Sequence, residues 1–223
     1  MEPGRQKMGN VHKPIKCIVI SGIDGSGKTT IINSLTDNLK HEGYDVSYIW
    51  LRFNHYITKA MHAFARISGL SCKVRNEMGD VWQHRFYKSK MFCKVYILTT
   101  YLDSWISRLK YNRVAKSSDI VICDRWITDI LVDLATKTHD MSLINGKWAK
   151  RFINIMPKQH RLFLIFRNTN SLLECRLENR VDPDFNFRLK VYEELLTQSF
   201  IFPIDNNGTI DNSVMHIKRK IHE

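Results

Sequence analysis

Two short stretches of this 223-residue chain carry side chains whose types and spacing suit work on a phosphate. The first is Gly22-Ile23-Asp24-Gly25-Ser26-Gly27-Lys28-Thr29-Thr30, which fits the pattern G-x-x-x-x-G-K-[ST]. Gly22, Gly25 and Gly27 admit backbone angles closed to other residues, so amide N–H groups can gather around an anion. Lys28 is placed to reach the β- and γ-phosphates of a nucleotide and the Thr29 hydroxyl to hold Mg²⁺, with Ser26 and Thr30 beside them. The second stretch is Asp124-Arg125. An acid that closes an apolar strand is suited to hold Mg²⁺ through water, and motors and helicases follow it with a second acid that activates water. Here a cation follows instead. Arg125 suits a second anionic substrate or a migrating phosphoryl group, not the making of hydroxide.

These residues need elements to position them. Ahead of the glycine loop, Ile15 to Ile20 is an apolar run of strand length, and after it Ile31, Ile32, Leu35 and Leu39 recur at helical spacing. That helix is expected to end at His41, before Glu42-Gly43, and to point its positive dipole end into the loop. Further strands are expected over Asp45–Leu51, Ile120–Asp124, Arg161–Phe166 and Phe200–Ile204. Helices are expected over Tyr56–Ile67, Gln83–Val114 with at most one break, Ile127–Thr136, Asn145–Met156, Ser171–Glu178, Phe187–Ser199 and Ser213–Ile221. Ser68–Gly79 and Asn179–Asn186 read as loops. Almost wholly apolar strands alternating with helices predict a parallel sheet covered on both faces, with ligands at the carboxyl ends of its strands. The glycine loop, the Arg52-Phe53-Asn54 turn and Asp124-Arg125 all fall at those ends.

Arg52 stands where a sugar-hydroxyl kinase would want a carboxylate base, and it suits an acceptor phosphate better. Asp24 remains a candidate base. Arg176 and Arg180, four residues apart, would share one helix face and close over the phosphates, with Arg188 following from the next helix.

Composition narrows the class. Thirty-four basic against 22 acidic residues give a net charge of +12, which suits polyanionic substrates or nucleic acid. No long basic run with interleaved aromatics occurs, so a phosphate-binding cleft is preferred to a dedicated nucleic-acid surface. No apolar run reaches the length of a membrane span, and Met1–Pro14 lacks the apolar core of a secretory signal. That segment is expected to be a flexible tail ahead of one domain over residues 15–223. The five cysteines form no C-x-x-C pair and the nine histidines no metal-ligand spacing, which points to free thiols in a reducing cytoplasm.

The glycine loop, followed later by an apolar strand and Cys123-Asp124-Arg125-Trp126, resembles the thymidylate kinase-like family of P-loop nucleoside monophosphate kinases. Arg176-Leu177-Glu178-Asn179-Arg180, Asp184-Phe185 and Val191-Tyr192-Glu193-Glu194 are similar to that family's arginine-bearing lid and the helix after it. The ending Phe202-Pro203-Ile204-Asp205 is similar too. The resemblance is close over residues 15–42 and 118–130, looser over 160–221 and poor between. It implies an α/β P-loop NTPase fold with five parallel strands, helices on both faces and a lid at about residues 176–188. It also implies ATP and Mg²⁺, with Thr29 and Asp124 at the metal and Asp24 at the acceptor's sugar. Lys28, Asp124, Arg125, Arg176 and Arg180 would carry transfer. The implied acceptor is a nucleoside monophosphate, dTMP first.

The departures are specific. Leu51-Arg52-Phe53-Asn54 replaces an acidic-proline element, and Thr99–Asp103 replaces a Phe-x-x-x-Arg that stacks on thymine. Asp129 and Asp133-Leu134 replace Ser and Tyr-Gln. A kinase of a non-nucleotide phosphorylated metabolite is therefore an alternative. A nucleotide-dependent switch or a nucleic-acid-associated ATPase is another, although no Asn-Lys-x-Asp signature is present. The expected partners are small nucleotides, with a homodimer compatible and neither membrane nor nucleic acid favoured.

Overall fold

The strand ahead of the glycine loop, β1 (Cys17–Ser21), is buried at every position, as its unbroken apolar run requires. In the computed structural model, which describes residues 15–52, 56–76 and 79–223, it is followed by α1 (Lys28–His41), β2 (Val46–Trp50) and α2 (Thr58–Ile67). Then come β3 (Ser71–Asn76), β4 (Gly79–His84), a 3₁₀ turn at Phe86–Lys88, α3 (Lys90–Val114) and β5 (Ile120–Asp124). The chain continues through α4 (Ile127–Thr138), α5 (Ser142–Asn145), α6 (Lys147–Ile153), β6 (His160–Phe166), α7 (Thr169–Cys175) and α8 (Leu177–Val181). It ends with α9 (Phe185–Leu196), β7 (Ile201–Asp205) and α10 (Ile210–His222). The tail over residues 1–14 and the strand-tip residues Phe53 and Asn54 lie outside the described residues.

The five long-range strands form one sheet in the order β2-β5-β1-β6-β7, with every pairing parallel. The expected five-stranded parallel architecture is therefore present. Alternation sorts its side chains. Cys17, Val19, Val121, Cys123, Leu162 and Leu164 pack with residues of α3, α4, α6 and α9. Ile18, Ile20, Ile122, Phe163 and Ile165 pack on the opposite face against Ile31, Leu35 and Leu39 of α1 and Val214 and Ile217 of α10. Across the β1/β5 pairing Ile20 lies opposite Asp124, so the loops leaving these neighbours start side by side. One leads to α1 on one face and the other to α4 on the other face. Diverging connections open a crevice at the carboxyl edge, where open α/β sheets take their ligands.

Two expectations fail between β2 and β5. Ser68–Gly79 is not a loop; β3 and β4 pair antiparallel from Ser71↔His84 to Asn76↔Gly79. The hairpin lies apart from the main sheet and is held partly by charge. The Arg66 guanidinium sits 5.0 Å and the Lys73 ammonium 5.7 Å from the Trp82 ring, so stabilising cation–π contacts look like scattered charge in the sequence. The long helix also starts late. Gln83 and His84 belong to β4, and Ser89 caps α3 by accepting from the Phe92 N–H at 3.3 Å. Among the described residues no helix is long and apolar enough to cross a membrane.

Candidate active site

The glycine loop is shaped by two left-handed glycines and one distant asparagine. Gly25 and Gly27 sit at φ 92° and 91°, and Gly27 is the N-cap of α1. A Cβ on Gly27 would fall 2.3 Å from Asn206 Nδ2, which donates to the Ser26 carbonyl at 2.8 Å. Asn206 follows β7, at the far edge of the sheet. Lys28 folds back into the loop, buried, and donates to the Ile23 carbonyl at 2.8 Å. The first turn of α1 carries no acid to compete for its N–H groups, and Ser26 Oγ is buried without a hydrogen-bond partner. A cavity of about 490 Å³ opens over the loop, lined by Gly25, Gly27, Lys28, exposed Thr29 and Thr30, Trp50, Asp124 and four arginines, Arg52, Arg125, Arg167 and Arg176.

Asp24 gathers the cations around this cavity. It pairs with Arg125, with Arg52 at 3.3 Å and with Lys28 at 3.8 Å. Burial would push its carboxyl up, but Arg125, Lys28 and Arg52 hold it down at about 2. Arg125 reaches this position from a left-handed backbone, φ 63°, and its N–H donates to the Ile20 carbonyl at 2.9 Å. Its guanidinium also pairs with Asp129, which accepts from the Tyr192 hydroxyl at 3.0 Å. Burial works against the Arg125 charge, and Asp129, Tyr192 and Asp24 more than offset it, so its pKa is raised. Asp124, at the end of β5, accepts from the Tyr48 hydroxyl at 2.8 Å, and burial with that bond pushes the phenol up to about 12.

Burial and the neighbouring Arg125 bring the Lys28 ammonium down to about 8, against the pull of Asp24. A bound polyphosphate would lift that value again, because it favours the charged form. If this loop takes a polyphosphate, its affinity should therefore be full below pH 8 and fall as pH rises through 8, by at most about tenfold per unit. Calorimetric titrations between about pH 7.5 and 9.5 test this, with Lys28→Arg expected to give a flat profile because guanidinium does not titrate there. A flat profile in the unsubstituted protein would remove Lys28 from the anion site.

The lid region differs from its expected form. Arg176 has extended angles, φ −142° and ψ 106°, and separates α7 from α8, so Arg176 and Arg180 do not share a helix face. Arg176 lines the loop cavity. Arg180 instead donates from Nε to the Leu173 carbonyl at 2.8 Å and does not line that cavity. Arg188 pairs with Asp182 at 2.7 Å. Between them, buried Asn179 donates to the Asp24 carbonyl at 2.9 Å and the Leu172 carbonyl at 3.0 Å, fastening α8 to the glycine loop. The i, i+4 spacing suggested a continuous helix because no Gly or Pro marks the break.

A second cavity, about 610 Å³, adjoins the first. Val74, Trp82, Gln83 and His84 of the hairpin form one wall, Asp133, Thr136 and Lys137 of α4 another, and Arg176, Glu178, Asp182, Asp184 and Arg188 the third. Gln83 Nε2 donates to Asp184 Oδ1 at 3.0 Å, tying hairpin to lid. The two cavities share Asp24 and Arg176. By contrast, the space where Thr100 and Asp103 of α3 face Arg52 and Asp129 is about 20 Å³, room for one water.

Arg167, Asn179, Asn206 and, in the hairpin, Val74, Gln83 and His84 were not singled out as site residues from sequence. Arg167 directly follows β6, so the carboxyl-edge rule that selects Arg52 and Asp124 would also have selected it. Among the described residues no group of three or more His, Cys, Asp or Glu could hold a metal by itself. The fold and site together define an α/β protein with a five-stranded parallel sheet and a cation-lined cavity at its carboxyl edge. No protein-family model matches the chain, and no curated protein matches it.

Proposed function

We propose that the chain has a P-loop NTPase fold and is a kinase moving the γ-phosphoryl of ATP onto a nucleoside monophosphate. The observation that carries this reading is the pair of cavities meeting at Asp24 and Arg176. One is lined by loop amides, Lys28 and arginines that suit a triphosphate; the other has an apolar wall for a ring and opens onto the first. Thr29 and Asp124 both line the first cavity and are oxygen donors of the kind Mg²⁺ takes, so bound Mg²⁺ would neutralise phosphate charge there. Lys28 would exchange the Ile23 carbonyl for a phosphate oxygen. Arg125, Arg167 and Arg176 would stabilise the negative charge spread over the transferring group. An acceptor phosphate is already nucleophilic, so positioning is the main demand, and Arg52 stands beside Asp24 to meet it. The lid would exclude water.

ADP release with ATP and Mg²⁺ across dTMP, dUMP, UMP, CMP, dCMP, AMP, GMP and thymidine tests the reading. Rapid turnover with one monophosphate supports it. Thymine would find no seat beside α3, where the space holds one water, so the acceptor ring is assigned to the hairpin wall. Trp82→Ala should then raise the acceptor KM about tenfold, the loss of one stacking surface, and leave the KM for ATP unchanged. Equal KM values for both proteins would move the ring elsewhere. The closed space beside α3 also favours one other reading, a phosphorylated metabolite without a base. ATP binding with no turnover across the panel would select it.

A further inference from the structure

The inward side of α3 is polar where a core-facing helix is ordinarily apolar. Thr100, Asp103, Ser104 and Ser107 recur there at helical spacing, and all four are buried. Asp103 is accounted for. Its carboxylate holds the start of α2, accepting from the Ile57 N–H at 2.9 Å, the Thr58 N–H at 3.0 Å and the Thr58 hydroxyl at 2.7 Å. The three α3 hydroxyls have a different position. Each gives its one proton back to its own helix, to the carbonyls of Tyr96, Thr100 and Asp103 at 2.7, 2.8 and 3.2 Å. What they have left is the capacity to accept. All three line the space of about 20 Å³ that α3 shares with Trp126 and Asp129.

Two buried groups on the other side of that space have unmet demands of opposite kind. Trp126 is 0% and Asp129 3% exposed, and neither the indole N–H nor Asp129 Oδ2 has a hydrogen-bond partner among the described residues. Buried polar atoms in folded proteins are nearly always paired, with protein or with water. We propose that the space binds one internal water, which accepts from the Trp126 N–H and donates to Asp129 Oδ2 and to one of the α3 hydroxyls. Chemistry selects this guest over the others. A sodium or potassium ion would face the positive end of the indole N–H. Ammonium can donate to the carboxylate and the hydroxyls but cannot accept from the indole. A halide can accept but would meet the charge of Asp129. Water does both, and about three partners is its usual number inside a protein. The volume admits one water and no larger ligand. The water is then the outer member of a buried line that runs through Asp129 to Arg125 and on to Asp24 at the loop cavity. With Oδ2 held from the side of α3, Asp129 keeps Oδ1 turned to Arg125 and to the Tyr192 hydroxyl.

A high-resolution crystal structure tests the site directly. Density should lie at hydrogen-bonding distance, about 2.7–3.2 Å, from both Trp126 Nε1 and Asp129 Oδ2. Crystals soaked in a thallium(I) salt should give no anomalous peak there. In solution, oxygen-17 relaxation dispersion counts the waters that stay bound for longer than the protein takes to tumble. Ser104→Val replaces an acceptor with methyl groups beside a space of one water, so its count should fall by one. It should also melt at a lower temperature, since Trp126 and Asp129 lose their bridge. Absent density, a thallium peak, or an unchanged count in a folded Ser104→Val protein overturns the proposal.

Discussion

Lys28→Ala should cut phosphoryl transfer by about 10³-fold or more, the scale of losing a preorganised charge at a transition state, while the protein stays folded. The two halves of this expectation have separate causes. The ammonium is buried, and burial together with Arg125 already opposes its charge, so its removal relieves as much as it costs the fold. Asp24 keeps Arg125 and Arg52 as partners, and the loop keeps the Asn206 bond that shapes it. The function has no such substitute, because no other ammonium lines the loop cavity among the described residues. Steady-state turnover and thermal melting of the same preparation separate the effects. Undiminished turnover would end the kinase assignment; a collapsed melting transition would show that Lys28 supports the fold instead.

Arg125→Met is expected to lose activity and stability together. Asp129 is 3% exposed, and its charge is met by Arg125 and by the Tyr192 hydroxyl. Removing the guanidinium leaves a buried carboxylate uncompensated, which costs about 3–5 kcal/mol. For a chain of this size that lowers the melting temperature by roughly 10 °C. Methionine meets the same left-handed backbone at this position, so the comparison isolates the charge. The triple variant Arg125→Met/Asp129→Leu/Tyr192→Phe should recover most of the loss, since it leaves neither a buried charge nor the Tyr192 hydroxyl unpaired. It should stay inactive. A single variant that melts like the original protein would mean that Asp129 does not depend on Arg125.

The parts of the molecule that could be read from sequence are those where burial is complete. In β1, β5 and β6 both faces are covered, so the runs Ile18-Val19-Ile20, Val121-Ile122-Cys123 and Leu162-Phe163-Leu164 carry their own signal. The glycine loop and Asp124-Arg125 follow from them by position. The hairpin is the opposite case. Its strands are only partly buried, and Lys73 and Arg66 do part of the work that apolar residues do elsewhere. Arg176 shows a third limit. Its residue type identified it, but neither its extended backbone nor the reach of nearby Asn179 to the Asp24 carbonyl leaves a local trace in the sequence. The same holds for Asn206, remote from the loop it supports in everything but space.

That last contact has a consequence for how the protein is made. The loop near the start of the chain is finished by an amide near its end, and α10 packs against α1 and pairs Lys218 with Glu42. Chains emerge from the ribosome amino end first. The glycine loop is therefore synthesised long before Asn206 exists to close it. A nascent chain holds the whole motif yet lacks the brace that sets its shape. Competence to hold an anion would then arrive late and all at once, when β7 joins the edge of the sheet.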